Sequence, residues 1–85
     1  EQDYDVVAQT EQVVANVRAI LEAAGSGLEK VIDVTVFLTD MQRDFADFNA
    51  TWAHHFDGLG VTRTTVEVGA LPTPIAVEFK VVARA

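Results

Sequence analysis

Cysteine is absent from this chain, which excludes disulfides, thiolate metal sites and cysteine nucleophiles. Basic residues are scarce. Six Lys and Arg stand against 13 Asp and Glu, a formal charge of −7, so the chain's own field repels nucleic acid and anionic membrane surfaces. Its apolar runs are far shorter than a membrane span. No basic segment leads into an apolar one as in a secretory signal, and the default expectation is the cytoplasm. A glycine-rich phosphate loop and a nucleophile elbow are both missing. No repeat, linker or low-complexity stretch divides the sequence, so residues 1–85 read as a single domain.

Against these absences stands a hydrophobic content of 49%, too high for a disordered chain. A chain of this length buries only about 60–65% of the surface it exposes when unfolded, and such thin margins call for a staple or a partner. The chain starts at Glu1 rather than Met. That start reads as a processed product or as one lacking an N-terminal part.

Hydrophobic periodicity predicts a first helix over residues 5–24, with Val13, Val17, Ile20, Leu21 and Ala24 on one face. Asp3 and Asp5 suit its N-terminus, and Gly25 is placed to end it in the left-handed conformation. Residues 28–38 read as a lead-in followed by a strand that is apolar on both faces, hence covered on both sides. A second helix, residues 43–56, carries the aromatic stripe Phe45, Phe48, Trp52 and Phe56, which reads as core. Strands follow over 62–68 and 75–83, and Pro72 and Pro74 lie in the loop between them. The order is α-β-α-β-β, an α/β pattern. Three strands leave an unpaired sheet edge, so more sheet is expected from N-terminal strands, from other subunits, or from both.

Few residues offer chemistry. His54 and His55 are adjacent, so on a helix they diverge and read as a polar, solvent-facing pair rather than as metal ligands. Two charges stand in otherwise apolar or threonine-rich strands, Arg63 and Glu78. If their strands form an antiparallel hairpin, the two come near each other at the end remote from the turn. They then read either as an ordinary cross-strand ion pair or as a site. In a site, Arg63 would hold a carboxylate with its planar fork, and Glu78 would orient a water or move a proton. Such a pair suffices to add water to an activated C=N carbon beside a carboxylate.

The segments Arg63-Thr64-Thr65-Val66-Glu67-Val68, Leu71-Pro72 and Val77-Glu78-Phe79-Lys80-Val81-Val82-Ala83 resemble the C-terminal signature of the YjgF/RidA family. Val34-Thr35-Val36-Phe37-Leu38-Thr39-Asp40 and Phe45-Ala46-Asp47-Phe48-Asn49 are similar to its middle strand and second helix. The resemblance implies a chorismate-mutase-like fold, a mixed sheet with two helices on one face. It implies a homotrimer with sites at the subunit interfaces, and three strands preceding the first helix that this chain does not show. It also implies hydrolysis of amino-acid enamines and imines to 2-oxo acids and ammonia, with no cofactor and no metal. Arg63 falls on the family's carboxylate-gripping arginine and Glu78 on its water-serving glutamate. Thr65 falls where many members carry cysteine, beside the substrate.

The turn Asp40-Met41-Gln42-Arg43-Asp44-Phe45 and the run Leu71-Pro72-Thr73-Pro74-Ile75-Ala76-Val77-Glu78 look most like 2-aminomuconate deaminases. In that case Arg43 would face the second carboxylate of a dicarboxylic substrate. A general 2-aminoacrylate deaminase is the alternative. So is a trimer of the same fold that binds a carboxylate metabolite without reacting.

Overall fold

The computed structural model describes residues 5–84. Helix α1, Val6–Ala23, starts where the Asp5 carboxylate accepts a hydrogen bond from the Ala8 amide at 3.1 Å. Asp3, the other expected cap, lies outside the described residues. The helix ends at Gly25, whose φ of 82° is the left-handed conformation that closes the last turn. The Ser26 amide reaches back to the Leu21 carbonyl at 2.7 Å. A short 3-10 turn, Leu28–Lys30, leads into strand β1, Val31–Leu38.

Helix α2, Met41–Phe56, begins two residues earlier than its periodicity suggests. The Asp40 side chain accepts from the Arg43 amide at 3.0 Å, and Glu67 accepts from the Met41 amide at 2.8 Å, so two of the first turn's orphan donors are satisfied. Strand β2, Thr62–Glu67, and strand β3, Val77–Ala83, complete the chain.

The sheet order is β2-β1-β3, with β2 parallel and β3 antiparallel to β1. Strands β2 and β3 therefore do not form the expected hairpin. The β1–α2–β2 connection lays β2 parallel along β1, and residues 68–76 carry the chain over to the far edge of the most apolar strand. Alternation along a strand says which side chains share a face, but not which strand lies beside it.

Val34, Val36 and Leu38 of β1 are fully buried and pack with Phe48, Trp52, Phe56 and Val77 under the helices, α1 over β3 and α2 over β1. The buried residues of α1 are Val6, Thr10 and Val14; of the expected stripe, Val13 and Leu21 pack partly buried against the core, whereas Ile20 is left 68% exposed. The opposite sheet face is open within one chain, and Ile32 and Val82 on it are 45% and 48% exposed. The expectation that β1 is covered on both sides thus fails for the single chain.

Candidate functional site

Register decides where the charged strand residues point. Arg63 stands opposite Val34, Thr65 opposite Val36 and Glu67 opposite Leu38, so all three share the helix-covered face. Glu78 stands opposite Phe37 and Lys80 opposite Thr35, which puts both on the open face. Arg63 and Glu78 are thus on opposite faces of the sheet and on its two outer strands. They are separated by about 10 Å along β1 and about 9.5 Å across two strand spacings. This corrects the expected convergence in a hairpin, and it equally removes the cross-strand ion pair. Glu78 is exposed.

Arg63 occupies a position whose counterparts on the same face are Val34, Val36, Phe79 and Val81. A cation there needs compensation. One Nη donates to Asn49 Oδ1 at 2.8 Å. The guanidinium carbon lies 5.7, 5.4 and 5.2 Å from the ring centroids of Phe45, Phe48 and Trp52. Burial lowers the Arg63 pKa from its usual value, yet a guanidinium stays charged in proteins. None of the ion pairs formed among the described residues involves Arg63. Two residues along β2, the buried Thr65 hydroxyl has no hydrogen-bond partner. Native structures seldom leave such a group unsatisfied, and here it lies beside a cation with unused donors.

Asn49 was not among the residues singled out by sequence. It lies four residues after Phe45 and three before Trp52, on the flank of the aromatic stripe, and that spacing was the available signal.

Arg43 is placed differently. Its Nε and Nη2 donate to the two Asp44 oxygens at 2.8 and 2.7 Å, a bidentate fork on a buried carboxylate, and Asp40 is 4.0 Å from its Nη1. It borders a cavity of about 430 Å³ walled by Thr39, Asp40 and the loop 69–75. A second substrate carboxylate would have to compete with Asp44 for this arginine. Of the histidine pair, His54 is exposed as expected. His55 is instead half-buried, and its Nε2 lies 2.6 Å from Glu11 Oε1, tying α2 to α1. No group of three His, Asp or Glu side chains among the described residues is placed to hold a metal ion. No described helix is long and apolar enough to cross a membrane.

The model of the family described as endoribonuclease L-PSP matches residues 2–85. A RutC family protein of Pyrococcus horikoshii is 46% identical over 79 residues, 93% of this chain and 62% of its own length. Protein DfrA of Myxococcus xanthus is 43% identical over 79 residues, 93% of this chain and 60% of its own length. The chain thus spans about three-fifths of the length of the curated relatives it matches. Among solved structures, the YjgF gene product of Escherichia coli superposes with a TM-score of 0.84 at 38% identity, covering 98% of this chain and 67% of that one. The Rid family protein of Yersinia pestis gives 0.91 at 36%, covering 98% of this chain and 66% of that one. Two helices on a mixed sheet are therefore the YjgF, chorismate-mutase-like fold.

Proposed function

The chain belongs to the endoribonuclease L-PSP family, the group that also carries the YjgF, RutC and Rid names, and on that footing we propose that it hydrolyses the enamine or imine of a small carboxylic acid to a 2-oxo acid and ammonia. The observation that carries this reading is Arg63. It is a cation on an apolar face, held by one neutral amide and three rings, without a carboxylate among the described ion pairs. Such a fork is suited to an external carboxylate. The ribonuclease of the family's description is not favoured, because 13 acids against six bases repel a phosphate backbone.

In the reaction, Arg63 holds the carboxylate and sets the C=N carbon in place, a positioning effect. The orphan hydroxyl of Thr65 lies two residues from Arg63 on the same face and supplies a further hydrogen bond to the bound acid. Water adds to the imine carbon while Glu78 takes its proton. Glu78 returns that proton to nitrogen, and the hydroxyl proton of the adduct follows as the carbonyl forms and ammonia leaves. The imine is already electrophilic, so no cofactor is needed.

Because Arg63 and Glu78 lie on opposite faces, one chain cannot supply both groups to one substrate. The site then forms between copies, in a homotrimer whose neighbour brings Glu78 to Arg63. The 2-aminomuconate-like substrate needs Arg43 for its second carboxylate, and Arg43 is engaged by Asp44. A monocarboxylic substrate such as 2-aminoacrylate makes no such demand and fits the geometry better. The exposed, unconverged Glu78 favours one rival, a trimer that binds a carboxylate through Arg63 and reacts with nothing.

A coupled ammonia-release assay with 2-aminoacrylate and with 2-aminomuconate separates these readings. The shared site is tested by mixing inactive Arg63→Ala and Glu78→Gln chains through reversible unfolding. Random reassembly restores about a quarter of the sites when the two groups come from different chains. No recovery would mean that one chain supplies both.

A further inference from the structure

Phe45, Phe48 and Trp52 do more than fill space beneath α2. We infer that the aromatic face of α2 is a cradle that positions the Arg63 guanidinium, with Phe45 and Trp52 as positioning residues for the bound carboxylate. The inference rests on the reading of Arg63 as a carboxylate clamp.

Three observations carry it. First, the guanidinium is within 5.2–5.7 Å of three ring centroids at once, the distance at which ring quadrupoles attract a cation. Second, the rings are themselves fixed. Trp52 stacks on Phe56 with centroids 4.1 Å apart and planes 22° apart, and Phe79 meets both Phe48 and Trp52 edge-on. Third, among the described residues the hydrogen-bond partner of the guanidinium is the neutral Asn49 side-chain oxygen. Rings and amide compensate the cation without neutralising it, so its charge and its remaining donors stay available to an anion. An aspartate in the place of Asn49 would hold the arginine equally well and would quench it.

Trp52 is the single tryptophan, so its emission reports on this arginine directly. Pyruvate, the carboxylate product of the simplest substrate in this class, serves as a non-reacting probe. Titrated into the wild-type protein it should change Trp52 emission saturably, and it should leave Arg63→Ala unchanged. Phe45 is only partly buried, so Phe45→Leu should keep the fold, checked by far-UV circular dichroism. It should weaken pyruvate binding about two- to fivefold and raise KM by a similar factor with little change in kcat. Phe45→Tyr keeps the ring face and should stay within about twofold of wild type.

If Phe45→Leu binds pyruvate as tightly as wild type while Arg63→Ala is inactive, the cradle is wrong and the clamp stands. If Arg63→Ala keeps wild-type kcat/KM, both fall together. Equal pyruvate responses from wild type and Arg63→Ala would also overturn the cradle.

Discussion

Arg63→Met separates a clamp from a structural tie. The substitution removes one charge-assisted hydrogen bond to Asn49, worth about 0.5–1.5 kcal/mol at this exposed position. It also removes cation–π attraction, about 0.5–1 kcal/mol at a partly exposed site. Against these losses, a cation leaves a face that otherwise carries Val34, Val36, Phe79 and Val81. A thioether arrives over Phe48 and Trp52, where sulfur–ring contacts return about 0.3–1.5 kcal/mol. Apolar replacement of partly buried charges is often neutral or stabilising. The net change should lie within about 1 kcal/mol of zero, less than about 8 °C in Tm for a chain of this size. Catalysis should behave otherwise. Loss of a bidentate, charge-assisted grip costs about 3 kcal/mol of transition-state binding, roughly a hundredfold in kcat/KM. The assays are a thermal melt and coupled ammonia release on the same sample. A fall in Tm well beyond that range would make Arg63 a structural tie and its effect on activity indirect. A kcat/KM close to wild type would refute the clamp outright.

Glu78→Gln should lower kcat with an unchanged melt, because Glu78 is exposed on a face that no described element covers; unaltered kcat would leave water without a base from this chain. Asp44→Ala should cost about 1–3 kcal/mol by removing a buried acceptor, and should release Arg43 toward the 39–40 and 69–75 cavity. Turnover of a dicarboxylic imine relative to a monocarboxylic one should then rise, and an unchanged ratio would leave Arg43 without a part in specificity. Gly25→Ala meets no atom within 4 Å but must hold φ at +82°, so it should cost about 1 kcal/mol from the backbone alone. Gly69→Ala, equally unobstructed and without a positive φ, should be neutral in the same denaturant titration.

The element order and most boundaries were legible because period and punctuation agree. Val34, Val36 and Leu38 alternate as strand residues. Phe45, Phe48, Trp52 and Phe56 recur as a helix, and Gly25 ends α1 as its position suggests. Strand neighbours were not legible. Nothing in the alternation of residues 62–67 and 77–83 says that β1 runs between them, so Arg63 and Glu78 were expected together. Family resemblance located Thr65, but only the structure shows its hydroxyl to be buried and unpaired. Asn49 was hidden by type, since an exposed helical asparagine has no distinctive pattern until a strand residue beneath it is known to be cationic.

The separation of Arg63 from Glu78 is what a shared site requires on physical grounds. Were both on one face of one hairpin, the glutamate would be a tethered anion at high effective concentration, and every substrate carboxylate would first have to displace it. Arg43 shows that outcome within the same molecule, where the adjacent Asp44 takes its whole bidentate fork. Arg63 escapes it because its near partners are an amide oxygen and ring faces, while the glutamate stands across the sheet. On the proposed function, the carboxylate meets the clamp when the open face, with exposed Ile32 and Val82 on it, is brought against another copy. Burial of that apolar surface would drive such an association, and assembly and the pairing of base with clamp would then be one event. A dissociated chain would then bind carboxylates through Arg63 and turn nothing over. The dependence of kcat on protein concentration, measured against a concentration-independent Trp52 response to pyruvate, checks this: parallel loss of both signals on dilution would show that Arg63 too is formed only in the assembly.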